Sequence, residues 1–348
     1  MAAARARLDG LAKPPGSLGR LESLAVTLAG VTGQPRPRLP RKAVIVAAAD
    51  HGVAREGVSA YRPEVTARMV RTFLAGGAAI NVLARQAGAR VIVVDVGVAG
   101  EVAEEVAAAE SPGIASASER GATFVSRRVA LGTANLVLGP AMTRDQMLAA
   151  LAVGIDVLEA EAARGLDLVA TGEMGIGNTT PSSAIVVALT GAAVETVTGR
   201  GSGVGDAGYV RKLAAVERAL AHARPDPERP LDTLAALGGL EIAALVGVIL
   251  AAAARRLPIL LDGFISGAAA LIAVALCPAV RHYLIASHRS AEIGHRLTLE
   301  RLGLTPLLTL DLRLGEGTGA ALAMPLVDAA LAILADMSSG DEVGLVTS

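Results

Sequence analysis

Short apolar runs that end in glycine and a polar residue recur along the chain, at 43–49 (AVIVAAA), 91–96, 166–170, 258–261, 283–286 and 307–310. Their length and near-continuous apolar character read as strands buried on both faces. Segments with helical spacing separate them: 63–74, 78–87, 143–163, 209–222, 231–256 (broken at Gly238-Gly239) and 320–337. Strands alternating with helices predict an α/β fold: an open, mostly parallel, six-stranded Rossmann-like sheet with helices on both faces. Segments 1–39 and 317–348 fall outside the alternation. They are expected to form a small helical domain beside a large α/β domain at 40–316, with the proline- and arginine-rich QPRPRLPR at 34–41 as the boundary. Residues 99–130 show no pattern and read as surface segments.

The stretch 166–184, LDLVATGEMGIGNTTPSSA, organises the rest. A strand-length run leads into Gly172, Glu173, Gly175, Gly177 and Asn178-Thr179-Thr180. Pro181 stands where a helix can begin, with Thr180 as its cap. A glycine-rich loop at a helix N-terminus presents backbone N–H groups and a positive dipole end, which suits a phosphate. Glu173 would repel a bare anion, so it points to another part of a substrate, such as a ribose hydroxyl. An ordinary tight turn with a surface glutamate is the competing reading.

The other strand ends carry further polar residues. Asp50-His51 follows the first run and Asp262-Gly263 the fourth. Ser287-His288-Arg289-Ser290 follows the fifth, and Glu316 lies in the glycine loop LRLGEGTG after the sixth. Polar groups at this edge of an α/β sheet are where ligands bind. Asp50, His51, Asp262 and His288 would serve a metal-dependent phosphohydrolase, and His288 alone could act as a base. The second glycine-rich loop, GRGSGVGD at 199–206, fits the dinucleotide pattern through Gly203, Gly205 and Gly208. It follows no clear strand, and so speaks weakly for NAD. Lys212, just beyond, reads either as a phosphate-side ammonium or as part of a solvated helix face; spacing favours the second.

Composition narrows the classes. Of 348 residues 19% are charged, and the net charge of −1 gives no footprint for nucleic acid. The lone cysteine, Cys277, excludes an intrachain disulfide and a zinc site built on several cysteines, and fits a reducing, cytoplasmic setting. The first ten residues have no apolar core of signal-peptide length. Segments 234–254 and 264–280 approach membrane-spanning length. Their Ala and Gly content, with Pro258 and Asp262 between them, reads instead as buried helices with no membrane partner.

Eight stretches in order resemble the nicotinate-nucleotide–dimethylbenzimidazole phosphoribosyltransferase family: LAKPPGSLGRLE (11–22), ADHGVAREGVSAY (49–61), GGAAINVLARQAGA (76–89), TGEMGIGNTTPSSA (171–184), GRGSGVGD (199–206), LDGFISGAAALIA (261–273), SHRSAEIGH (287–295) and LRLGEGTGAALA (312–323). Each is weak alone, and together they span nearly the whole chain. The resemblance implies a homodimer that needs no metal or cofactor and acts on small molecules. Nicotinate mononucleotide and 5,6-dimethylbenzimidazole would give α-ribazole 5′-phosphate and nicotinate. Glu316 matches the family's general base. Glu173 and Gly175, Gly177, Asn178 and Thr179 match the segment near the ribose phosphate, and Lys212 its phosphate side. Gly201, Gly203 and Ser290 fall in matched motifs as substrate-binding positions. Gln86, Leu314, Met174 and Met324 are the expected slot or rim for the flat base. With three Phe, three Tyr and no Trp, that slot is expected to be walled by aliphatic side chains.

Overall fold

Strand β1 (Lys42–Ala49) sends Ala43, Ile45, Ala47 and Ala49 into one hydrophobic core and Val44, Val46 and Ala48 into another. This two-residue alternation divides the whole molecule, because a strand turns successive side chains to opposite faces. The computed structural model describes residues 1–102 and 121–344. The remaining strands are β2 (Ala89–Gly97), β3 (Thr123–Ser126), β4 (Leu168–Met174), β5 (Ile259–Leu261) and β6 (Leu284–Ala286). They form one parallel sheet in the order β3-β2-β1-β4-β5-β6. Helices Arg144–Ala163, Thr179–Thr190, Leu240–Ala254 and Phe264–Leu276 cover one face. Ala2–Asp9, Arg20–Thr32, Val65–Leu74, Ala79–Gln86 and Thr318–Asp336 cover the other. The strand order reverses between β1 and β4, which opens a crevice at their C-terminal ends, the usual ligand position in such sheets.

Five of the six expected strand runs form strands. The sixth, 307–310, makes only an isolated bridge between Leu308 and His288, while Leu310 is 53% exposed. Pro306, which has no N–H to give a ladder, stands immediately before it. The sixth strand is instead β3, inside the stretch read as surface. Its residues are exposed or half-buried, so an edge strand of this kind carries little apolar signal. Of that stretch, residues 103–120 lie outside the described residues.

The helix after β4 starts at Thr179, earlier than Pro181, and Asn178 precedes it. Proline is still tolerated, since first-turn N–H groups have no intrahelical acceptor. Thr180 is no cap: its Oγ1 is buried without a partner.

The expected buried helices pack unusually close. A Cβ on Gly154 would lie 1.8 Å from Ala244 O, and one on Gly247 would lie 2.0 Å from Leu151 O. Thr318–Asp336 is long and apolar enough to cross a membrane by length and composition, yet 56% of its apolar window is buried inside the protein. It packs along Arg20–Thr32, and Leu11 bridges to Ser339, so the two ends of the described chain meet.

Candidate active site

Two backbones come together at the crevice because glycine permits it. A Cβ on Gly172 in β4 would lie 2.5 Å from Glu316 O, and one on Gly315 would lie 2.2 Å from Glu173 Oε1. Gly315, Glu316 and Gly317 all have positive φ, at 88°, 65° and 92°. For glutamate this left-handed conformation is strained, at a cost of about 1 kcal/mol or more. Glu316 N–H donates to Glu173 O at 3.3 Å, which ties the two loops together. Asp262, at the end of β5, holds the far side of the turn by accepting from Gly317, Gly319 and Ala320 N–H at 3.2, 2.8 and 3.1 Å.

The result is a cluster of buried carboxyl groups. Glu173 is 6% exposed, which excludes the surface-glutamate reading of its loop. Burial pushes Glu173 up to about 8, with Asp262, Glu241 and Glu316 adding to it and the Asn178 amide opposing. Burial likewise raises Glu316 to about 7, against the N–H of Ile80, which donates to Glu316 Oε2 at 3.3 Å from the start of helix Ala79–Gln86. Asp262 is raised to about 7 by burial, opposed by its N–H donors from Ala320, Gly317 and Gly319.

Lys212 lies across the cavity and is fully buried, not on a solvated face. Its Nζ donates to Thr179 Oγ1 at 2.8 Å and to Gly199 O at 2.9 Å. Burial lowers its pKa to about 8, with Glu292 acting in the opposite direction. Among the described residues no carboxylate forms an ion pair with it within 4.0 Å. A Cβ on Gly201 would lie 2.9 Å from Nζ and 2.6 Å from Thr179 Oγ1, so the second glycine loop packs directly over the ammonium, which only a residue without a side chain can do.

Between these ends is a cavity of about 700 Å³. Of the site residues expected from the sequence, Glu173, Met174, Gly175, Gly177, Asn178, Thr179, Gly201, Ser290, Leu314 and Glu316 line it, whereas Lys212 lies behind Thr179 and Gly201 and does not. Leu314 is 58% exposed, at the rim. Gly203 lines a smaller neighbouring cavity instead, with Arg200 and Arg313. Gln86 is exposed at the far end of its helix and does not line the cavity. Met324 is fully buried in the core rather than in a slot. Val58, Val65, Met69, Ile176 and Leu312 supply apolar wall as expected, joined by Tyr61 and Phe264. Single residues of the 57–74 segment gave no signal beyond that of a loop and an amphipathic helix. Glu292 was also missed; it lines both cavities and follows Ser290 by two residues.

Three of the four residues of the hydrolase reading, His51, Asp50 and Asp262, are otherwise engaged. His51 Nε2 is 2.7 Å from Glu241 Oε1, and both side chains are fully buried. Asp50 accepts from Ala99 N–H at 2.8 Å, and Asp262 holds the loop after Glu316. Among the described residues no three His, Cys, Asp or Glu side chains form a metal-ligand cluster.

A phosphoribosyltransferase family model matches residues 1–345. The chain is 57% identical over 345 residues to the nicotinate-nucleotide–dimethylbenzimidazole phosphoribosyltransferase of Desulforudis audaxviator, covering 99% of this chain and 93% of that protein. It is 56% identical over 344 residues to the protein of the same name from a Roseiflexus species, with the same coverage. The crystal structure of CobT from Thermus thermophilus superposes with a TM-score of 0.91 at 49% identity, covering 100% of this chain and 99% of that one.

Proposed function

Because the chain belongs to the phosphoribosyltransferase family, we propose that it moves the phosphoribosyl group of nicotinate mononucleotide to 5,6-dimethylbenzimidazole, giving α-ribazole 5′-phosphate and nicotinate. The observation that carries this reading is the full-length similarity to relatives bearing that name, and the site geometry supplies a mechanism for it.

The 5′-phosphate sits against Thr179 and the loop at Gly201, with the Lys212 ammonium directly behind them. The helix Thr179–Thr190 starts there and adds its positive end. The benzimidazole lies flat between apolar walls such as Val58, Met69 and Ile176. Its unprotonated nitrogen attacks C1′ as the C1′–N bond to the pyridinium breaks. The bonding pair returns to the nicotinate ring, which leaves neutral at nitrogen and needs no acid. Attack from the face opposite nicotinate inverts C1′, so a β substrate gives an α product. Positive charge that develops on the ribose is stabilised by the carboxyl cluster when it is ionised. The attacking ring must lose its other N–H proton, and Glu316 takes it. A carboxyl raised to about 7 is well matched to that role, since a base works best with a pKa near the operating pH.

The same reading includes a homodimer, which the family resemblance supports, and a cytoplasmic setting, with which a free Cys277 is compatible. Sedimentation mass tests the dimer. The reaction is tested by mixing the protein with both substrates, with and without EDTA, and identifying the product by mass and anomeric NMR. An α-linked ribazole phosphate that forms equally with EDTA is expected. Free ribose phosphate, lost on chelation, would contradict it.

A further inference from the structure

One polar side chain of the cavity wall has no part in the chemistry given to Glu316 and Lys212. This is His288, which follows β6 by two residues. Its tautomer follows from its neighbours. Ser287 Oγ is 2.5 Å from Leu261 O and 3.1 Å from His288 Nδ1. Two oxygens that close need a proton between them, and a serine hydroxyl has only one. That proton goes to Leu261 O, so in the other bond Oγ accepts and Nδ1 donates. Asp262 Oδ1, 3.9 Å from Nδ1, favours a hydrogen on the same nitrogen. Burial lowers the imidazole to about 4, so the ring is neutral at physiological pH. Nε2 therefore carries a lone pair and no hydrogen.

The ring is also fixed in place. A Cβ on Gly319 would lie 1.9 Å from Nδ1, so the imidazole fits only because residue 319 is glycine. Nε2 is not among the ring atoms nearest that Gly319 position; it lies 3.9 Å from where a Gly263 Cβ would be, and Gly263 lines the same cavity. His288 thus shares the cavity wall with Glu316, Ser290 and Glu292, and its Nδ1 edge lies beside Asp262.

A fixed lone pair accepts from a donor and repels anions. Of the two substrates, the phosphate and the nicotinate carboxylate are anionic, and the single N–H of the benzimidazole goes to Glu316. The remaining donors are the sugar hydroxyls. We propose that His288 Nε2 accepts a hydrogen bond from a ribose hydroxyl of the mononucleotide and so selects a hydroxylated sugar over a deoxy one. This rests on the transfer reaction given above. His288 is a specificity contact and takes no proton.

The test compares kcat/KM for nicotinate mononucleotide and its 2′-deoxy and 3′-deoxy analogues in the wild-type chain, His288→Phe and His288→Gln. Each sugar's intrinsic reactivity cancels when its preference ratio is compared between proteins. For one analogue, the preference for the hydroxylated sugar is expected to fall at least about tenfold in His288→Phe. The amide oxygen of His288→Gln can replace Nε2 and restores much of it. Unchanged preference for both analogues in His288→Phe would overturn the proposal. If the variants do not fold, nitrogen-15 NMR of the wild-type histidines decides. An unprotonated Nε2 resonance that moves upfield with the mononucleotide but not with the relevant deoxy analogue is expected, and a protonated Nε2 in the free protein would contradict it. Absence of any transfer by the wild-type chain would instead remove the proposed function, and the NMR result would still report on His288.

Discussion

At one end of the cavity a buried cation, Lys212, is held by the neutral oxygens Thr179 Oγ1 and Gly199 O. At the other, buried carboxyl groups are held by backbone N–H groups, those of Ile80 on Glu316 and of Gly317, Gly319 and Ala320 on Asp262. Neither end neutralises its charge with a close ion pair to the other. Burial therefore moves both toward neutrality, Lys212 down to about 8 and Glu316 up to about 7. The consequences differ. At pH 7 the lysine is still mostly charged and can hold a phosphate. The glutamate is close to half ionised, so it can take a proton and release it again. One physical cause, desolvation, yields a binding group at one end and a base at the other.

Substitution at Glu316 should separate the ends most sharply. Glu316→Gln keeps the shape and removes the base. It is expected to lower kcat about 10²–10⁴-fold with little change in KM for nicotinate mononucleotide, measured by steady-state product formation. Lys212→Met should do the reverse. Loss of the positive charge behind the phosphate position is expected to raise the KM for nicotinate mononucleotide about tenfold to a hundredfold, with a smaller effect on kcat. Its melting temperature should hold, because the variant no longer buries an ammonium.

The acid end also sets the pH dependence of stability. Glu173 and Glu316 have folded-state pKa values of about 8 and 7, above the 4.5 of an unperturbed glutamate. In the folded state they bind protons more tightly than in the unfolded state. Their contribution is fully present below about pH 4.5 and is lost as pH rises through 7 and 8. The melting temperature should therefore fall between about pH 5 and 8, and Glu173→Gln, neutral throughout, should flatten that fall in scanning calorimetry. The smallest effect is expected at Gln86. It is exposed and lies away from the cavity, so Gln86→Ala should change kcat/KM by no more than about twofold.

How far these two ends were legible in the sequence depended on what makes each of them. The strand-loop-helix at 168–190 was readable because its glycines, Asn178 and Pro181 are local signals. Glu316 stood out as a lone acid among glycines, although the strain of its backbone appears only in the fold. Lys212 was read toward solvent because helical spacing does not reveal what covers a helix. Here helix Asp206–Ala223 packs onto Thr179–Thr190 and buries the ammonium. β3 was missed for a related reason. An edge strand with half-exposed side chains has a place because β2 offers an open edge, not because its own residues alternate. Met324 was among the residues expected at the slot or its rim. The helix that starts at Thr318 carries it into the core instead.

The most direct measurement is the pH dependence of kcat at saturating substrates, for the wild-type chain and for Glu316→Gln. If Glu316 takes the benzimidazole proton, the wild-type profile falls on the acid side with an apparent pKa of about 7, and the residual rate of Glu316→Gln lacks that limb. A Glu316→Gln variant that keeps the wild-type rate and the same acid limb would show that the proton leaves by another route.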